Sequence, residues 1–595
     1  MFRTLMLTCA GLLAAIVAFY GSADADTRAD LTLVSGNRIN TLDPQQMSWI
    51  ADIRICINAW EGLTRHDPDT LLPIAGVAQM PPEISADRTH YTFHLRPDAR
   101  WSNGDPVTAH DFVRGWRRAI EPGTAADYAG VLTNHIKGAR AYYDWRTRAV
   151  QQLARERSPD KLGEREALLR AHARRMDDEW RKVGIRAAGD HTLEVQLVRP
   201  TAYFLELTLL PVLMPIHESI ERLREGDPEL GIDAGGLVVY DSQWTKPDYH
   251  RNGYPGLITN GVYRIADWQF RRRLRLEKNL YHPERASAAL GTIDVLMFES
   301  ANTAFQAYET GVVDWLTSLN LDYAGALLQM SHTGERPDVS VVPAFGTYYY
   351  NLNCKDAVLP DGRANPFIDP RVRKAFAISI DRDALCAKVA EKENPPTRTL
   401  IPSGSIPGYP QVAGHAEDAE LANQLLDEAG YEDRATFPDV SLLYNTGQIH
   451  GRLAEAVVNM WRETLGVRVG LAGKEAKTFS EDKAKHNYQI ARASWYGDYA
   501  DPTTFLDIFA TGNGNNDSGY ANPAYDALLA DAAVCGNAEQ RMNILAEAET
   551  ILVTEDFPLI PIYRYTNPQA YRPFVKGIRP NPREIYPLRD VWVER

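Results

Sequence analysis

Hydrophobic alternation places the first elements. In HYTFHLRPDARWSNGDPVTAHDFVRGW, Tyr91, Phe93 and Leu95 recur at every second position, which predicts a strand buried on one face. Asn103-Gly104 supplies a turn, and Thr108 with Asp111 has capping-box spacing ahead of a helix through Trp116. The alternation returns in HTLEVQL at Leu193, Val195 and Leu197. Between these strands, residues 138–188 are densely charged. Ser158-Pro159 marks a helix start there, and Leu169, Ala173, Met176, Trp180 and Val183 keep helical spacing. That pattern predicts an amphipathic helix packed on one face rather than a partner-binding arm. Farther on, Asp369-Pro370 opens a helix with Asp as cap and Pro in first position. HGRLAEAVVNMWRETLG sets Leu453, Val457, Trp461 and Leu465 on one stripe, stops at Gly466 and runs into the short strand VRVGL. Helix followed directly by strand is an α/β pattern. In GTYYYNLN, Tyr348 and Tyr350 share one strand face and Tyr349 takes the other, which suits deep burial and a cleft wall equally.

The N-terminus adds a location. Arg3 precedes an apolar stretch from Leu5 to Tyr20, and Ala23-Asp24-Ala25 offers small residues at a cleavage site. This reads as a secretory signal peptide over residues 1–25, with an uncleaved membrane tether as the alternative. The net charge of −14 disfavours nucleic acid as a partner. Beyond Cys9, Cys56, Cys354, Cys386 and Cys535 are too few for a disulfide scaffold and include no CxxC pair, so no metal site is expected. The sequence has no GxSxG, HExxH, phosphate-loop or EF-hand motif. GNGNND near Gly512 lacks the third glycine and the preceding strand of a phosphate cradle, and reads as a surface loop. A paired-carboxylate hydrolase is the remaining enzymatic alternative, and no cofactor is implied.

Four stretches, taken in order, resemble one family: WSNGDPVTAHDFVRGWRRAI, LITNGVYRIADW, DPRVRKAFAISIDRDAL and ARASWYGDYADPTTFL. They are similar to the extracytoplasmic peptide-binding proteins of ABC importers, and within these to the oligopeptide-binding proteins (family 5 solute-binding proteins). The resemblance runs from NTLDPQQ to the C-terminus and implies a two-lobed α/β periplasmic-binding-protein fold (type II, large cluster). An extra α/β domain is inserted in lobe I. By the resemblance, lobe I takes residues 26–63, 217–345 and 566–595, the extra domain 64–216, and lobe II 346–565. Residues 138–188 and 229–250 run longer than the family's usual pattern.

A peptide's universal features are its main chain, its ammonium and its carboxylate. Main-chain groups are satisfied by strand addition, and an enclosed ammonium needs a counter-charge. Asp498 matches the family's ammonium-binding carboxylate. Trp495 and Tyr496 would help form the cleft wall, with main-chain pairing along 493–496 including Ser494. Arg492, Lys483 and His450 match cleft basic positions that meet peptide carboxylates, while Tyr128 and Asp52 match positions on the opposite side. In the family pattern, cysteines stand where this chain has Gly346 and Tyr496, and an acid stands at Asn351, directly after the TYYY run whose Tyr348 is also expected at the site. That disulfide cannot form here, and one cleft charge is gone. The resemblance therefore implies a non-enzymatic, monomeric periplasmic receptor that delivers short peptides to ABC permease subunits. Alternatives are a receptor for a dipeptide, cell-wall peptide, nickel chelate or oligosaccharide, or a membrane-tethered peptide sensor.

Overall fold

The computed structural model describes residues 28–595 except 37, 156–161, 252, 320–323, 390–393 and 448, with side chains 162–164 also outside the description. The signal-peptide expectation and the Ser158-Pro159 helix start thus lie outside the described residues. None of the described helices is long and apolar enough to cross a membrane.

Fourteen strands matter for the site. They are β1 (Leu31–Val34), β2 (Glu83–Ile84), β3 (His90–His94), β4 (Ile185–Gly189), β5 (Thr192–Gln196), β6 (Tyr263–Gln269) and β7 (Arg273–Lys278). The rest are β8 (Thr292–Leu296), β9 (Trp315–Leu316), β10 (Val339–Leu352), β11 (Val440–Asn445), β12 (Val469–Lys474), β13 (Ile490–Tyr496) and β14 (Leu559–Tyr571). Ten of them form one mixed sheet in the order β6-β7-β8-β1-β9-β14-β10-β13-β11-β12, and β2-β3-β5-β4 form a separate four-stranded sheet.

The two long strands β10 and β14 join the halves of the large sheet. The C-terminal end of β14 pairs with β9 through Ala570 and Tyr571, whereas β10 pairs with β13 from Gly346 to Leu352. Their mutual register shifts between Pro343 and Thr347, and again between Tyr348 and Tyr349, as at a β-bulge. Four large cores flank this sheet, because every strand must bury a face. One joins the inner face of the first half to the four-stranded sheet, through Trp60, Trp101, Phe93 and Leu193. A second, with Phe305 and Tyr308, covers the first half's other face. The β10–β13 half buries Tyr348, Tyr350 and Trp461 on one side and Tyr349, Phe505 and Phe509 on the other. The TYYY run is therefore deeply buried on both faces.

The local patterns hold with one exception: the helix that carries Met176 ends at Trp180, so Val183 lies in the turn beyond it. Thr108 and Asp111 make a reciprocal capping box at helix Ala109–Ala119, and Asp369 caps helix Pro370–Ile378. Helix His450–Leu465 buries Leu453, Val457, Trp461 and Leu465 and ends at left-handed Gly466. Within helix Leu162–Trp180, Met176 is buried, with Leu169 and Ala173 packed beside it.

Candidate functional site

Strand β13 has two unlike edges. One is paired along its whole length with β10. The other meets β11 only at Ile490 and Ala491, so from Arg492 to Tyr496 no strand covers it among the described residues. An uncovered edge presents backbone N–H and C=O groups that an extended chain can pair with. The side chains alternate. Ala493 and Trp495 pack toward Phe345, Tyr349 and Phe505, while Arg492, Ser494 and Tyr496 share the face of Tyr348.

Arg492 stands among aromatic rings instead of acids. Its guanidinium lies 5.0 Å above the Tyr348 ring, Nη2 donates to Tyr565 Oη at 3.1 Å, and Nε is buried without a partner. His450 stacks on Tyr348 at 5.7 Å, and burial plus the Arg492 charge hold its pKa down to about 4. The site thus holds an arginine with no carboxylate within ion-pair distance among the described residues, and a histidine neutral at pH 7.

Beyond β13 the chain turns sharply. Gly497 N donates to Phe345 O at 2.8 Å, and a Cβ at Gly497 would lie 2.2 Å from the Phe345 ring, so glycine alone fits this approach. Arg541 clamps Asp501 with two bonds of 2.6 and 2.8 Å, and Tyr499 stacks on Tyr203 at 5.0 Å. This framework fixes Asp498, whose N–H donates to Thr504 Oγ1 at 2.9 Å. Asp498 Oδ1 accepts from Tyr128 Oη at 2.7 Å, across from the first half of the molecule. Burial raises the Asp498 pKa above its usual value, opposed by the Tyr128 bond and the field of Arg583. No cation forms an ion pair with Asp498 among the described residues, so a half-buried carboxylate terminates the open edge.

Comparisons with known proteins identify the family. The model of bacterial extracellular solute-binding proteins, family 5 Middle, matches residues 73–517. The chain is a family 5 solute-binding protein. The periplasmic oligopeptide-binding protein OppA of Escherichia coli (strain K12) is 31% identical over 587 residues, covering 96% of this chain and 95% of that protein. The unliganded open form of MppA, a periplasmic murein tripeptide binding protein, is similar at a TM-score of 0.74 and 28% identity, covering 95% of this chain and 98% of the other. Haemophilus influenzae OppA in complex with RPPGFSPFR gives 0.68 and 28%, covering 96% and 100%.

Other expected site residues of this family 5 protein lie in varied settings. Tyr348 is fully enclosed, covered by Arg492, His450 and Tyr563. Asn351 is buried with its Oδ1 unpartnered. Lys483 is engaged by Asp517 at 2.8 Å, and Asp52 spends both oxygens on Asn40, at 2.8 and 3.3 Å. Among the described residues, no hydrogen bond or ion pair joins either of them to Arg492 or Asp498. Gly346 and Tyr496 are direct partners in the β10–β13 ladder, and the half-exposed Tyr496 ring fills the space where a Gly346 Cβ would be, 2.7 Å away. That ring stacks on Tyr565 at 4.8 Å. Sequence reasoning missed Tyr563 and Tyr565, although their period-two spacing on β14 was a usable signal. It also missed Glu206 and Arg583, which no local pattern marks.

Proposed function

We propose that this family 5 protein captures short peptides by strand addition along residues 492–496, with the peptide ammonium held by Asp498. The observation that carries this reading is the open β13 edge ending at a carboxylate that no cation pairs among the described residues. Main-chain pairing is indifferent to side chains, and an ammonium supplies the charge that Asp498 lacks. Arg492 and His450, on the shared face, would receive a carboxylate farther along the ligand. Trp495 backs the edge from the opposite face, and Tyr496 and Ser494 border it. Lys483, Asp52 and Asn351 would tune ligand length from outside these direct contacts.

We assign lobe I to 26–63, 217–345 and 566–595, the extra domain to 64–216 and lobe II to 346–565. The separate four-stranded sheet and the register shift between Pro343 and Thr347 support these bounds. The lobes close over the peptide by bending at β10 and β14. The protein acts as a periplasmic, monomeric receptor that hands intact peptide to an ABC permease. The name of the Escherichia coli relative, a periplasmic oligopeptide-binding protein, supports the location and the ligand class.

The test is calorimetric titration of protein freed of ligand by unfolding and refolding. Pooled tri- to pentapeptides are compared free and N-acetylated, and recovered peptide is weighed by mass spectrometry. Free peptides should bind about a hundredfold more tightly than acetylated ones and return uncut. Equal affinities, or cleavage, would overturn the proposal.

A further inference from the structure

Asp498 has a cationic neighbour that does not take it. Arg583, from the segment after β14, is almost wholly enclosed, and its field reaches Asp498. Its guanidinium instead bonds Glu206 Oε2, with Nη1 at 3.3 Å. Glu206 lies in the short helix Phe204–Leu207, is 6% exposed, and also receives the Ala500 N–H at 3.4 Å. Its other oxygen, Oε1, is buried without a partner. Glu206 therefore binds both Arg583 and the loop that carries Asp498.

Guanidinium and carboxylate attract strongly where water is excluded, and a free Arg583 would be a natural partner for Asp498. Such a pair would neutralise the acid and set a cation where the ligand ammonium must enter. With Glu206 engaging Arg583, these three groups together leave one negative charge, which suits one ammonium.

We propose that Glu206 is a positioning residue of the ammonium pocket: it holds Arg583 off Asp498 and tethers Ala500, so that Asp498 stays open to a cation. This rests on the ammonium reading above. Glu206 need not touch the ligand. Its effect reaches the peptide through the charge balance and placement of Asp498, so it should act on free peptides and spare acetylated ones.

The experiment measures binding of the same peptide pool, free and N-acetylated, by equilibrium dialysis to wild type, Glu206→Gln and the double variant Glu206→Gln/Arg583→Gln. Wild type should prefer free peptides about a hundredfold. Glu206→Gln should lower that preference to about tenfold or less by weakening free peptides, while acetylated affinity stays within roughly twofold. The double variant, which removes both charges, should regain most of the preference. A purely structural role for Glu206 would weaken both peptide classes together and would not be rescued by removing Arg583. A wild-type preference that Glu206→Gln retains, or that the double variant fails to regain, overturns this inference alone. Absence of preference in wild type overturns the ammonium reading, and with it this role for Glu206.

Discussion

Replacing Asp498 with Asn removes one charge and almost nothing else. The side chain keeps its volume, and its oxygen still accepts from Tyr128 Oη. Removing one partner of an enclosed charge pair costs about 2–5 kcal/mol of binding. Because the packing and the Tyr128 bond survive, we take about 3 kcal/mol, which is about a hundredfold in affinity for free peptides. The unliganded protein should respond in the opposite direction. Burial raises the folded-state pKa of Asp498, so the fold binds its proton more tightly than the unfolded chain does. The stability linked to that proton is present below the unfolded pKa of 3.8 and lost as pH rises through the folded one. At pH 7 the ionised acid destabilises the fold, and Asp498→Asn should raise the Tm of the stripped protein. Affinity for free peptides should fall as acid protonates Asp498, while acetylated peptides respond far less. Titration calorimetry with scanning calorimetry on the same samples reads both signs. Wild-type affinity in the variant, or a Tm that drops alongside the affinity, would refute the reasoning.

Three further outcomes follow from the geometry. His450 should titrate near pH 4 in an NMR pH series, because burial and Arg492 depress it, and a midpoint near 6.5 would contradict that enclosure. Buried Glu549 accepts Leu400 N, Ile401 N and Tyr409 Oη, each at 2.8 Å, and its pKa is pushed up to about 7. Its stability contribution is therefore lost as pH rises from 4.5 to about 7, by up to about 3 kcal/mol, and Glu549→Gln should flatten that part of the Tm profile. Gly497→Ala should cost about 1–3 kcal/mol of stability through collision with Phe345, and should weaken free peptides further by displacing Asp498, both read by calorimetry.

Much of the scaffold was legible because its determinants are local. Thr108 and Asp111 are three residues apart, and the stripe from Leu453 to Leu465 lies on one helix, so periodicity and capping rules reach them. The TYYY alternation was legible as well, but burial on both faces was not. That outcome depends on Phe509 and Trp461 arriving from distant segments. In the site, the strand and its acidic loop could be read because residues 490–498 are contiguous. The pairing of Glu206 with Arg583 spans 377 positions and leaves no periodic trace. Matching by position also says nothing about occupancy. Lys483 and Asp52 fit a binding pattern, yet their side chains already answer to Asp517 and Asn40. Gly346 looked like a lost cysteine, and the ladder shows it also as the space beneath Tyr496.

The central claim is that a peptide becomes the missing neighbour of β13. Its most direct test is a crystal structure of the stripped protein soaked or grown with a bound tripeptide. The account predicts an extended ligand hydrogen-bonded to the main chain between Arg492 and Tyr496, with its ammonium on the Asp498 carboxylate. A ligand bound away from that edge, or one whose ammonium faces another group, would contradict it.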